Sequence, residues 1–163
     1  MLVELDLDGV RLEMPASMPV LMLRESGGQR RILPIHIGGP EASSIHYAIE
    51  GLTPERPLTH DLFVLLIESL NGVLENIVIT EVVEHTYFAE LHVRTPVGER
   101  VISCRPSDAV AIAIRAGAPM FASSTLMDMV AKEEVLASGE DQEEILDDFR
   151  DFINSINPED FQG

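Results

Sequence analysis

The sequence predicts an α+β domain: a largely antiparallel β-sheet with packed helices, followed by an acidic amphipathic C-terminal helix. Three observations predict it. Residues 2–37 and 73–104 are rich in alternating apolar and polar positions broken by tight-turn residues, the pattern of two β meanders. Three other stretches are apolar at helical spacing, with proline, aspartate or threonine at their entrances and glycine near their ends. The final segment is dense in carboxylates yet keeps Ile145, Leu146, Phe149, Phe152, Ile153 and Ile156 at helical intervals. The organisation expected is therefore a domain over residues 1–125 and an acidic helical extension over 126–163.

In the first meander, Val3, Leu5 and Leu7 alternate with Glu4, Asp6 and Asp8, and the parity flips after Gly9, so that Val10 and Leu12 alternate with Arg11 and Glu13. A strand with a bulge or sharp bend at Gly9 accounts for the flip. Val20 to Leu23 is a continuous apolar run, read as a strand covered on both faces. Ser26-Gly27-Gly28-Gln29 is a hairpin turn signal, and the strand after it, Arg31 to Ile37, contains Pro34, which suits an edge or a bulge.

Pro40 and Glu41 begin the first helix, with Ile45, Ala48, Ile49 and Leu52 on one stripe. Thr59 is expected to cap a second helix from His60 to Leu70, whose Leu62, Phe63, Leu65, Leu66 and Leu70 cover enough of its circumference to place it in the core. Val73 to His85, Tyr87 to Arg94 and Glu99 to Cys104 form the second meander, with His85 and His92 in neighbouring strands. Arg105-Pro106-Ser107-Asp108 then opens a helix that is apolar from Ala109 to Ile114 and closes at Arg115 and Gly117. Ser124 to Ala137 is a short helix candidate.

Charge narrows the function. The 163 residues carry a formal charge of −17, unevenly spread: residues 1–127 hold 16 acids and 9 bases, and residues 128–163 hold 12 acids and 2 bases. Phosphate backbones are bound mainly through Lys and Arg, so a broad nucleic-acid-binding face is disfavoured, and such contact requires a local arginine cluster or a divalent metal. One cysteine, Cys104, excludes an intrachain disulfide framework. No apolar run reaches the ~20 residues of a membrane span, and the N-terminus is acidic where a secretory signal is basic, so no membrane association and a cytoplasmic location are expected.

Two helix entrances look alike: Arg56-Pro57-Leu58-Thr59-His60-Asp61 and Arg105-Pro106-Ser107-Asp108. If they converge, Asp61 and Asp108 offer oxygen ligands suited to Mg2+ or Mn2+, His60 an imidazole for proton transfer, and Arg56 and Arg105 positive charge for a phosphate. Each aspartate also suits a plain helix cap, and each arginine a structural partner for those aspartates. Glu41 reads as a surface acid at a helix start. Ser43, Ser44 and Ser107 lack the context of a hydrolase nucleophile, and Cys104 has no assignable base.

The succession Leu33-Pro34-Ile35-His36-Ile37-Gly38, then Glu41-Ala42, then Arg56 to Leu62, then Arg105 to Arg115 resembles the bifunctional nuclease domain family over roughly residues 1–125. The resemblance implies a mixed sheet, homodimer formation and nuclease activity on DNA and RNA. It departs from the family at Ser103-Cys104, where an aspartate is frequent. On this reading His60, Asp61 and Asp108 are the catalytic candidates, Asp61 and Asp108 the metal ligands, and Arg56, Thr59, Arg105 and Ser107 the substrate-binding set. A non-catalytic homodimeric binding module is the alternative.

Overall fold

The computed structural model describes residues 1–132; the expected acidic C-terminal helix lies outside the described residues. The chain runs β1 (Leu2–Glu13), β2 (Met18–Glu25), β3 (Ile32–His36), α1 (Gly39–Ile49), α2 (Thr59–Ser69), β4 (Val73–Val83), β5 (Thr86–Thr95), β6 (Gly98–Cys104), α3 (Pro106–Ala116), β7 (Met120–Ser123) and α4 (Ser124–Val130). The fold is α+β, and all seven strands form one mixed sheet in the order β3-β2-β1-β7-β4-β5-β6.

Local chemistry explains most of these elements. β1 slips register against β2 between Leu7 and Gly9, and Gly9 adopts φ 129°, a conformation that L side chains rarely adopt, so the predicted bulge sits where glycine allows it. Pro34 lies in β3, an edge strand, where its missing N–H costs no ladder bond to a further strand. α3 starts at Pro106 and stops at Gly117 in the left-handed conformation, and Ala109 to Ala113 are all buried. Ser123 caps α4 by accepting the Leu126 N–H at 3.2 Å.

Strand β7 was absent from the sequence expectations. It is antiparallel to β1 and parallel to β4, and so fuses the two meanders into a single sheet. Four residues are too few to announce a strand on their own; the partners supply the ladder. The core is shared across this seam: Leu5, Leu21, Leu23, Leu33, Ile77, Ile79, Leu91 and Ala122 join Ile45 of α1 and Val110 of α3. Leu126 and Met127 are also fully enclosed, Arg31 binds Asp128, and Ile32 and Lys132 exchange backbone bonds, so the compact unit runs past residue 125.

Several expectations are corrected. α2 has no buried residue: Leu62, Leu65 and Leu66 are 58%, 45% and 52% exposed, and Leu70, just past its end, 67%, so it lies on the surface of α3, not in the core. Apolar periodicity records how much of a helix wants cover, not whether its own chain supplies it. Thr59 is the first helical residue rather than the cap; Leu58 holds that place, and Asp61 Oδ2 accepts the Leu58 N–H at 2.9 Å. In α1, Ile45 is buried while Ile49 is exposed, and Leu52, expected on the same stripe, lies past the helix end and is exposed. α4 ends at Val130, because Lys132 pairs with Ile32 instead of continuing the helix. His85 belongs to the β4–β5 turn, with φ 67°, whereas His92 pairs with Asn76 inside the sheet.

Candidate active site at the junction of three helices

α1 lies against β1 and β2, α3 against β4 and β5, and α2 against α3. The first turns of the three helices meet there, and the two Arg-Pro entrances converge. Arg105, the residue before α3, has extended backbone angles imposed by the following proline. Its guanidinium folds back onto Asp108, with Nε 2.7 Å from Oδ2 and Nη2 3.0 Å from Oδ1. His60, in the first turn of α2, places Nε2 2.9 Å from Asp108 Oδ1. From α1, Glu41 Oε1 accepts a third Arg105 bond at 3.2 Å, and Ser44 Oγ lies 2.7 Å from His60 Nδ1.

Asp108 is therefore not spent on its own backbone amides. Burial pushes its carboxyl pKa up, but the bonds from Arg105 and His60 outweigh that, and it is held below the ordinary carboxylate range. The same contact with Asp108 raises the Arg105 pKa further from neutrality. Exposure divides the cluster: the Arg105 side chain is 65% exposed and Asp108 25%, while His60 is 13% exposed. The outward face is a guanidinium and a carboxylate edge, with imidazole behind them.

Asp61 faces a different partner. Its Oδ1 accepts Arg115 Nε at 2.6 Å, while its Oδ2 takes the Leu58 N–H. Both carboxylates thus have their oxygens engaged by nitrogen donors. Among the described residues no group of three or more His, Cys, Asp or Glu side chains is arranged to hold a metal ion. A Mg2+ or Mn2+ shared by Asp61 and Asp108 does not fit this donor arrangement. Arg56 and Thr59 are exposed before and at the start of α2, and no bond engages the Arg56 side chain among the described residues. Ser107 is 6% exposed and faces inward.

Three residues in the network escaped sequence reasoning. Ser44 and Glu41 read as ordinary helix residues, and Arg115 as a helix exit. Arg115 is only 10% exposed and donates to Asp61, to Ala111 O at 2.8 Å, to Ser44 O at 3.0 Å and to Ser44 Oγ at 3.1 Å. The available signal was its spacing: seven residues after Asp108, two helical turns, it shares that residue's side of an otherwise apolar helix. Cys104 sits beside the cluster without chemistry. Burial, with help from Asp108 and Glu90, pushes its thiol up to about 11, so it is protonated at neutral pH.

The sequence pattern described as the bifunctional nuclease domain matches residues 21–135. The chain is also similar to two uncharacterized proteins of Mycobacterium tuberculosis, one from strain CDC 1551 / Oshkosh and one from strain ATCC 25618 / H37Rv. Each is 37% identical over 163 aligned residues, covering 95% of either chain. The match begins within β2 and includes all three helix entrances of the cluster. Among the described residues no helix is long and apolar enough to cross a membrane.

Proposed function

The chain belongs to the bifunctional nuclease domain family, and from that membership we propose that it hydrolyses phosphodiester bonds of DNA or RNA at the Arg105–Asp108–His60 cluster. The observation that supports the reading is the convergence of both Arg-Pro entrances on Asp108. Counting Arg56, Arg105 and Arg115 against Glu41, Asp61 and Asp108, the site is formally balanced in a chain of net charge −17. The chain's acidic excess is therefore not concentrated at this site, where a polyanion would approach.

In this reading Arg105 contacts a non-bridging phosphate oxygen. Its planar fork still has N–H groups beyond those held by Asp108 and Glu41, and it stabilises charge that builds on the phosphoryl oxygens. An attacking water forms the new P–O bond as the bond to the leaving oxygen breaks; the attacking water's proton passes to the Asp108 carboxylate, and the leaving oxygen takes up a proton from solvent water. His60 holds that carboxylate in place. A carboxylate of lowered pKa is a weak base, so Arg105 carries the larger share of the rate enhancement. Arg56 and Thr59 flank the approach from α2.

The test is cleavage of end-labelled DNA and RNA by the full chain in EDTA, Mg2+ or Mn2+, beside Arg105→Ala and Asp108→Asn. Loss of about 10²-fold or more in both variants supports the site. Equal cleavage by the variants removes it, and dependence on added metal returns divalent-ion assistance to the scheme.

One observation favours a second reading, a non-catalytic homodimeric module. The exposed leucines of α2 form an apolar surface of the kind that association covers. Light scattering on the full chain and on Leu62→Gln/Leu66→Gln tests it: a dimer that the double variant dissociates, with no cleavage by either protein, favours this reading over the nuclease.

A further inference from the structure

We infer that Ser44 and Arg115 are positioning residues that fix the tautomer of His60, so that its single ring proton sits on Nε2 and points at Asp108. Arg115 carries only N–H donors, and its Nη2 lies 3.1 Å from Ser44 Oγ and 3.0 Å from Ser44 O. The Ser44 hydroxyl therefore accepts from Arg115. Its own proton is then free to go to His60 Nδ1, at 2.7 Å, an arrangement that suits Nδ1 as the unprotonated, accepting nitrogen. At the far side of the ring the ionised Asp108 accepts at 2.9 Å, which requires Nε2–H. Both ends of the chain Arg115→Ser44→His60→Asp108 specify one tautomer.

Burial makes the relay directional. Ser44 is 9% exposed and the Arg115 side chain 10%, so water does not readily replace either donor. Asp61, holding Arg115 Nε at 2.6 Å, locks the guanidinium plane, and Ala111 O accepts its Nη1. The sequence elements involved come from all three helices. The ring's orientation is thus a property of their packing rather than of α2 alone.

The inference rests on the reading of His60 and Asp108 as parts of the hydrolytic site, but its test does not use activity. Long-range ¹H–¹⁵N spectra of the imidazoles, recorded on the full chain across a pH series, report directly which ring nitrogen carries the proton. The wild type is expected to show His60 wholly as Nε2–H. Ser44→Ala and Arg115→Lys are expected to bring in the Nδ1–H form, and Ser44→Thr, which keeps the hydroxyl, to restore the wild-type signature. A wild-type ring found as Nδ1–H, or spectra identical in Ser44→Ala, overturns the inference, whatever the cleavage assays give. Absence of cleavage with the expected spectra leaves the positioning role standing and removes only the nuclease reading.

Discussion

His60 and Asp108, separated by 48 positions in the chain, meet at 2.9 Å and tie α2 to α3. Because α2 buries none of its residues fully, this polar contact and the Arg115–Asp61 pair carry much of what orients it. Function and architecture consequently share the same side chains.

Asp108→Asn keeps the shape of the side chain and removes its charge. Hydrogen bonds to charged groups contribute about 1.5–3 kcal/mol, and with partial exposure the variant is expected to lose about 1–2 kcal/mol at neutral pH. The folded pKa of Asp108 is depressed, so its stabilisation is full above the ordinary carboxylate range and disappears as pH falls through the folded value. Urea melts of both proteins should therefore differ at neutral pH and converge on acidification; a gap that widens in acid contradicts the assignment.

Arg105→Ala should separate function from stability. A side chain 65% exposed contributes less than about 1 kcal/mol through its ion pairs. The thermal midpoint is expected to move little while cleavage falls about 10²-fold. A large fall in midpoint with unchanged cleavage would make Arg105 a structural residue.

Arg31→Ala addresses the opposite end of the sheet. Glu25 is 9% exposed, and the hydrogen bond from Arg31 is the chief reason its carboxyl is held below the usual range. Removing the arginine leaves that carboxylate enclosed without its cation, at an expected cost of about 3 kcal/mol. In the variant Glu25 regains a neutral form on acidification, so the deficit measured by urea melts should be largest at neutral pH and shrink in acid. The wild type moves the other way, losing the pair's contribution as Glu25 protonates.

Cys104 is expected to resist alkylation. A thiol pushed to about 11 holds about a hundredfold less thiolate at neutral pH than one at 9.0. The rate of iodoacetamide modification on the native chain, against the urea-unfolded chain, measures it; equal rates contradict the stated environment.

The parts of the fold legible in the sequence were those whose signals are local. Gly9 gave its bulge, Pro34 its edge strand, and Pro106 with Gly117 the limits of α3, because each acts through its own backbone. The exposure of α2 was not legible, since a helix apolar on most sides looks alike whether its cover comes from its own core or elsewhere. Convergence of the two Arg-Pro entrances could be posed from their likeness. The division of labour between Asp61 and Asp108 could not, because it depends on Arg115 and Ser44, which reach the entrances from 54 and 16 positions away.

The placement of β7 bears on how the molecule is made. During synthesis both meanders emerge before Met120 to Ser123, and until that short strand arrives β1 and β4 each present an unpaired ladder edge to the surroundings. Until that strand docks, the two halves have sheets but no seam, and both ladder edges stay open to a neighbouring chain.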